Sequence, residues 1–115
     1  MTVTIYHNPR CAKSRATLQL IEARGIRPEI VEYLKTPPSL AELKTILQRL
    51  KLKPPDILRT SEPRYAELGL RERNPGDEEL IALMVANPIL IERPIVVAGG
   101  KAAIARPPEK VLEIL

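Results

Sequence analysis

The segment from Val3 to Pro38 constrains the fold more than any other part of the chain. Val3, Ile5 and Tyr6 form a short β-prone run that Asn8-Pro9 closes with a turn. Ala12 through Arg24 then carries Leu18, Leu20 and Ile21 among good helix formers, and Gly25 follows as a natural terminator. Glu29 through Leu34 is β-rich again, until Thr36-Pro37-Pro38 stops it. Strand, helix and strand in that order predict a βαβ opening, whose two strands become parallel neighbours through the intervening helix. Cys11 falls at the amino end of that helix.

The middle of the chain reads as helical but fragmented. Ser39 with Glu42 three residues on forms a capping-box pattern, and Leu40, Leu43, Ile46, Leu47 and Leu50 supply the apolar face of a helix. Short helical pieces are predicted at Asp56–Arg59 and Arg64–Leu70. Asp77 is expected to cap a further helix carrying Leu80, Ile81, Met84 and Val85, with Met84 as core filling. The last third predicts an antiparallel hairpin, Pro94–Val97 and Ala102–Ile104 around Ala98-Gly99-Gly100, and then a final helix after Pro107-Pro108 with Val111, Leu112 and Leu115 facing inward. The expected product is one α/β domain over residues 1–115, a mixed sheet with an inserted helical region at about 39–87.

Composition narrows the function. The chain of 115 residues has 18 Lys plus Arg against 14 Asp plus Glu, a net charge of +4 suited to an oxyanion, a nucleic acid or an acidic partner. The basic residues are scattered, and three Tyr without Phe or Trp provide few stacking platforms, so no nucleic-acid partner is expected. No stretch approaches about 18 consecutive apolar residues, so no membrane span and a cytoplasmic location are expected. One cysteine rules out an internal disulfide.

A lone cysteine is often an inert core residue. At a helix start, however, unpaired N–H groups and the positive end of the helix dipole favour a thiolate, and Arg10, Lys13 and Arg15 add positive charge nearby. Cys11-Ala12-Lys13-Ser14 places serine where a C-x-x-C reductase has its resolving thiol, and Thr17 stands where a C-x5-R phosphatase needs arginine. No phosphate loop, dinucleotide fingerprint or spaced Cys/His metal set is present, so no bound cofactor and no metal are expected. His7, the single histidine, is either a hydrogen-bonded strand-end residue or an organiser of the Cys11 loop. Asn8 and Ser14 are candidates to hold the loop or the thiolate, or simply to form the turn and the early helix. Arg59, Arg93 and Arg106 each stand at the edge of a predicted element, with donor forks that suit a tetrahedral oxyanion beside Cys11.

Taken with those residues, the runs His7-Asn8-Pro9-Arg10-Cys11-Ala12-Lys13-Ser14-Arg15, Arg59-Thr60-Ser61-Glu62, Ile91-Glu92-Arg93-Pro94-Ile95-Val96-Val97 and Ala105-Arg106-Pro107-Pro108-Glu109 resemble, in order, the signatures of the glutaredoxin-coupled arsenate reductase family (ArsC-like). The resemblance spans essentially the whole chain and is to the short form, since this sequence ends at Leu115 where better characterised members continue. It implies a thioredoxin/glutaredoxin-like fold and an oxidoreductase of arsenical resistance, expected to be a monomer. In that scheme Cys11 is the nucleophile, supported by His7, Asn8 and Ser14. Arg59, Arg93 and Arg106 hold the arsenate, and Pro94 is the cis-proline beside the thiol. It also implies a thiol–arsenate adduct reduced with glutathione as cosubstrate, and glutaredoxin as the partner that resolves the mixed disulfide. Two alternatives stay open: another glutathione-linked thiol oxidoreductase, and a noncatalytic RNA-polymerase-binding regulator of the same fold.

Overall fold

The computed structural model describes residues 2–115 and divides the chain into two compact units, one formed by the segment up to Thr36 with Arg93–Leu115, the other by Pro37–Glu92. The first unit holds a four-stranded sheet in the order β2-β1-β3-β4, built from β1 (Val3–Tyr6), β2 (Glu29–Val31), β3 (Ile95–Ala98) and β4 (Lys101–Ile104). β1 pairs parallel with β2 and antiparallel with β3, and β3 pairs antiparallel with β4. Helix α1 (Ala12–Ala23) makes the crossover between β1 and β2. This mixed sheet with its helices is what the sequence pattern predicts, and it is the thioredoxin/glutaredoxin-like architecture that the family resemblance implies.

The alternation of β1 explains its placement. Val3 and Ile5 are buried while Thr4 and Tyr6 are partly exposed, so one face turns to a core shared with Ile21, Val96, Ala98, Ala105 and Val111. Each fully buried valine or isoleucine side chain among them contributes about 1.5–3 kcal/mol. β2 is shorter than the expected strand to Leu34. The Glu32 carbonyl accepts from the amides of both Lys35 and Thr36 at 2.9 Å, turning the chain away from the sheet after Val31. Gly25 takes φ +76° just past α1, where its lack of a Cβ makes that conformation inexpensive. The final segment, Pro108–Glu113, is a 3-10 turn rather than an α-helix, yet it buries Val111 and packs Leu112 and Leu115 against the same core.

The second unit is helical. In α2 (Leu40–Leu50) the Ser39 hydroxyl accepts from the Glu42 amide at 3.1 Å and the Glu42 carboxylate accepts from the Ser39 amide at 2.9 Å, the reciprocal box that the sequence predicts. The piece expected at Asp56–Arg59 is instead a 3-10 turn over Pro54–Ile57, with Leu58 extended after it. Leu58 bridges to Ile91, and the Arg59 amide donates to the Leu90 carbonyl at 2.8 Å. The stretch expected as one helix at Arg64–Leu70 divides into α3 (Pro63–Glu67) and α4 (Leu70–Arg73), because Gly69 takes φ +64° between them. Helix α5 (Asp77–Ala86) is capped by Gly76, so Asp77 is its first residue and not its cap. There Asp77, Glu78 and Glu79 crowd the first turn and complement the positive end of the helix. Met84 is fully buried. Among the described residues, no helix is long and apolar enough to cross a membrane.

Candidate active site

Sheet register brings three segments out at one end. Tyr6 pairs with Ile95, Ile95 pairs with Ile104, and the Ala105 amide donates to the Pro94 carbonyl at 3.0 Å. His7 therefore leaves β1, Arg93 enters β3 and Arg106 leaves β4 at the same edge of the fold. The peptide bonds preceding Pro94 and Pro107 are both cis.

The loop from His7 to Cys11 is tied to the helix it precedes. The Cys11 amide donates to the Asn8 carbonyl at 3.0 Å, and the Arg10 amide donates to Asn8 Oδ1 at 3.0 Å. Ser14 lies completely inside the protein. Its Oγ accepts from the Asn8 amide at 3.0 Å and sits 2.6 Å from His7 Nδ1. With one lone pair engaged by Asn8, the simplest pattern has the Ser14 hydroxyl donating to Nδ1 of a neutral imidazole. Burial pushes the His7 pKa below its ordinary value, opposed by Glu32 and reinforced by Arg15, which fits that neutral form. His7 is thus joined to the loop through Ser14, as an organiser of the turn.

Cys11 is the N-cap residue of α1 and is partly exposed. Its side chain makes no formal capping hydrogen bond, but several groups bear on the sulfur. Burial raises its pKa, while the neighbouring Ser14 and Lys13 amides and the Arg93 guanidinium with its charge lower it, and the lowering prevails. The thiolate is favoured by donors that the fold supplies without rearrangement. Arg93 Nε and Nη1 are themselves buried. Thr17, the residue that excludes a phosphatase loop, lies fully inside the protein and gives its hydroxyl to the Lys13 carbonyl at 2.8 Å.

Arg59 belongs to the helical unit, and its setting differs. Nη1 meets Glu62 Oε1 at 2.5 Å and Nε lies 3.9 Å from Glu92 Oε1. A groove of about 270 Å³ runs between the His7–Arg10 loop and the Glu32–Lys35 turn, giving solvent a path to the loop. The helical unit has a cavity of about 420 Å³ bordered by Thr60, Tyr65, Ala66, Arg71 and Glu72. Among the described residues, no group of three His, Cys, Asp or Glu side chains converges as a metal site would. Sequence reasoning saw Arg15 only as nearby charge, whereas its Nη1 donates to the Pro9 carbonyl at 2.9 Å. The signal available for that contact was its spacing, four residues after Cys11 and so one helical turn along.

Residues 6–114 match the ArsC family. The chain belongs to the ArsC family. It is 52% identical over 114 residues to the uncharacterized protein YfgD of Escherichia coli K12, covering 98% of this chain and 96% of that one. It is 50% identical to the arsenate reductase of Rhizobium meliloti over 115 residues, all of this chain and 82% of that one. The solved structure of the Vibrio cholerae arsenate reductase superposes with a TM-score of 0.95 at 51% identity, covering 100% of this chain and 98% of that chain. ArsC membership does not carry the redox coupling that the sequence resemblance implied. Cys11 is the single cysteine and is a free thiol, so a multi-cysteine relay ending at glutaredoxin has no second member in this ArsC chain. Glutathione as cosubstrate, glutaredoxin as partner, the glutaredoxin-coupled enzyme class and the glutathione-linked alternative are withdrawn with it.

Proposed function

We propose that this ArsC-family protein is an arsenate-reductase-like enzyme whose Cys11 thiolate captures a tetrahedral oxyanion of the arsenate class. The observation that carries this reading is the placement of a partly exposed Cys11 at the N-cap of α1, where the Ser14 and Lys13 amides and Arg93 lower its pKa against the effect of burial. In the proposed step Sγ attacks arsenic, an S–As bond forms, an As–O bond breaks, and the departing hydroxide takes one proton from solution and leaves as water. Arsenic stays pentavalent in the adduct. Arg93 and Arg106, which lie at the same end of the sheet as the Cys11 loop, serve the oxyanion's oxygens. His7, Asn8 and Ser14 keep the loop in place. Arg59 is assigned to the oxyanion on the sequence resemblance alone. Conversion of the adduct to arsenite takes two electrons from a reductant outside the chain, for which a small dithiol serves in the assay. The same reading places the enzyme in the cytoplasm, where a solitary thiol stays reduced.

The test incubates the protein with arsenate and dithiothreitol and measures arsenite. Arsenite is expected above the protein-free rate with wild type and not with Cys11→Ser. Folded wild type that forms no arsenite, and whose Cys11 alkylates equally fast with and without arsenate, would overturn the proposal.

A further inference from the structure

We propose that Arg15 is a positioning residue for Cys11, a strap from the first turn of α1 that fixes the turn presenting the thiol. This rests on the reading of Cys11 as the nucleophile. Two contacts place the strap. The Arg15 amide donates to the Cys11 carbonyl at 3.0 Å, closing the first helical turn, and the Arg15 Nη1 donates to the Pro9 carbonyl at 2.9 Å. Pro9 has no N–H of its own, so its carbonyl is the one main-chain group through which the turn can be held at that residue. The preceding residue is held from the same helix, since the Asn8 amide donates to Ser14 Oγ. Both residues ahead of Arg10 and Cys11 are thus anchored to α1, Asn8 by a buried hydroxyl and Pro9 by an exposed guanidinium.

The strap acts through geometry. The groups that move the Cys11 pKa are burial, the Ser14 and Lys13 amides and Arg93, and Arg15 is not among them. What Arg15 governs is where Sγ lies relative to those amides, because it adds the tie at Pro9 to a turn whose other fastenings run through Asn8, from the Arg10 and Cys11 amides and to Ser14 Oγ. It also helps keep His7 neutral, and Glu32 opposes it there. A neutral imidazole leaves the Ser14 hydroxyl free to bond both His7 and the Asn8 amide, so one guanidinium supports the anchorage at both points.

The experiment measures the rate of Cys11 alkylation by iodoacetamide as a function of pH, which requires no arsenate. Arg15→Ala is expected to raise the midpoint of the profile by about half a pH unit or more, and Arg15→Lys, which keeps a donor on a long stem, is expected to return it toward wild type. Arg10→Ala is the charge control. It removes a neighbouring exposed cation whose amide alone is used by the loop, and is expected to leave the midpoint in place. Thermal unfolding of the variants is expected within about 2 °C of wild type; should Arg15→Ala fail to fold, Arg15→Met, which keeps an apolar stem without a donor, serves as the loss variant. An unchanged midpoint in the loss variant, an equal shift in Arg10→Ala, or no rescue by lysine would each overturn the strap. Absence of arsenite formation with a normal Arg15 series would instead sink the proposed oxyanion chemistry and leave the strap standing.

Discussion

Arg93 and Arg59 are the same residue type assigned to the same task, and the two regions that carry them treat a positive charge in opposite ways. At the sheet end, Arg93 bears on a sulfur and lowers its pKa alongside two main-chain amides. In the helical unit, Arg59 is held by Glu62 and lies near Glu92, one cation between two carboxylates. The sheet end favours the thiolate form of Cys11. Around Arg59 the neighbouring charges already exceed the guanidinium, so an oxyanion there must displace or share a carboxylate.

The same substitution at both positions sharpens that contrast. Arg93→Ala should slow arsenite formation by about 100-fold, the usual effect of losing one preorganised oxyanion donor, and raise the alkylation midpoint of Cys11 while the protein stays folded. Arg59→Ala should instead register in stability, by about 1–3 kcal/mol in urea unfolding, because Glu62 and Glu92 lose the cation between them. Equal effects of the two substitutions on stability would break the distinction.

A third prediction tests the anchorage under Cys11. Since burial keeps the folded His7 pKa below its ordinary 6.5, the unfolded chain takes up the proton first on acidification. The stability contributed by the neutral imidazole is complete above about pH 6.5 and is lost as pH falls from there through the folded value. Urea unfolding from pH 8 to pH 5 should show this loss in wild type and a flatter profile in His7→Gln. The smallest effect is expected at the capping box, where Ser39→Ala should cost about 1 kcal/mol and leave Cys11 reactivity unchanged.

Much of this was legible in sequence because it depends on local signals. The βαβ opening follows from Asn8-Pro9, Gly25 and Thr36-Pro37-Pro38, and the capping box from Ser39 and Glu42. The hairpin follows from Gly99-Gly100, where Gly99 takes φ +59°. Less legible were features set by neighbours in space. The early end of β2 depends on the double use of the Glu32 carbonyl, and the path through Leu58 and Arg59 depends on pairing with Leu90 and Ile91. At the candidate site, Cys11 at the start of a helix was readable from the turn that precedes it. The use of Ser14 as the shared partner of His7 and Asn8 was not, because a serine in the first helical turn has the same sequence signature whether it faces solvent or the core. The expectation of coupling to glutathione and glutaredoxin came from family resemblance, and the solitary cysteine marks where that resemblance stops applying.

The most direct measurement is the pH profile of Cys11 alkylation in the presence and absence of arsenate. A thiolate favoured by the Ser14 and Lys13 amides and by Arg93 predicts a midpoint below that of an ordinary cysteine, together with slowing by arsenate at neutral pH. A midpoint at or above the ordinary value, with identical rates in arsenate and buffer, would contradict an anion-binding nucleophile at position 11.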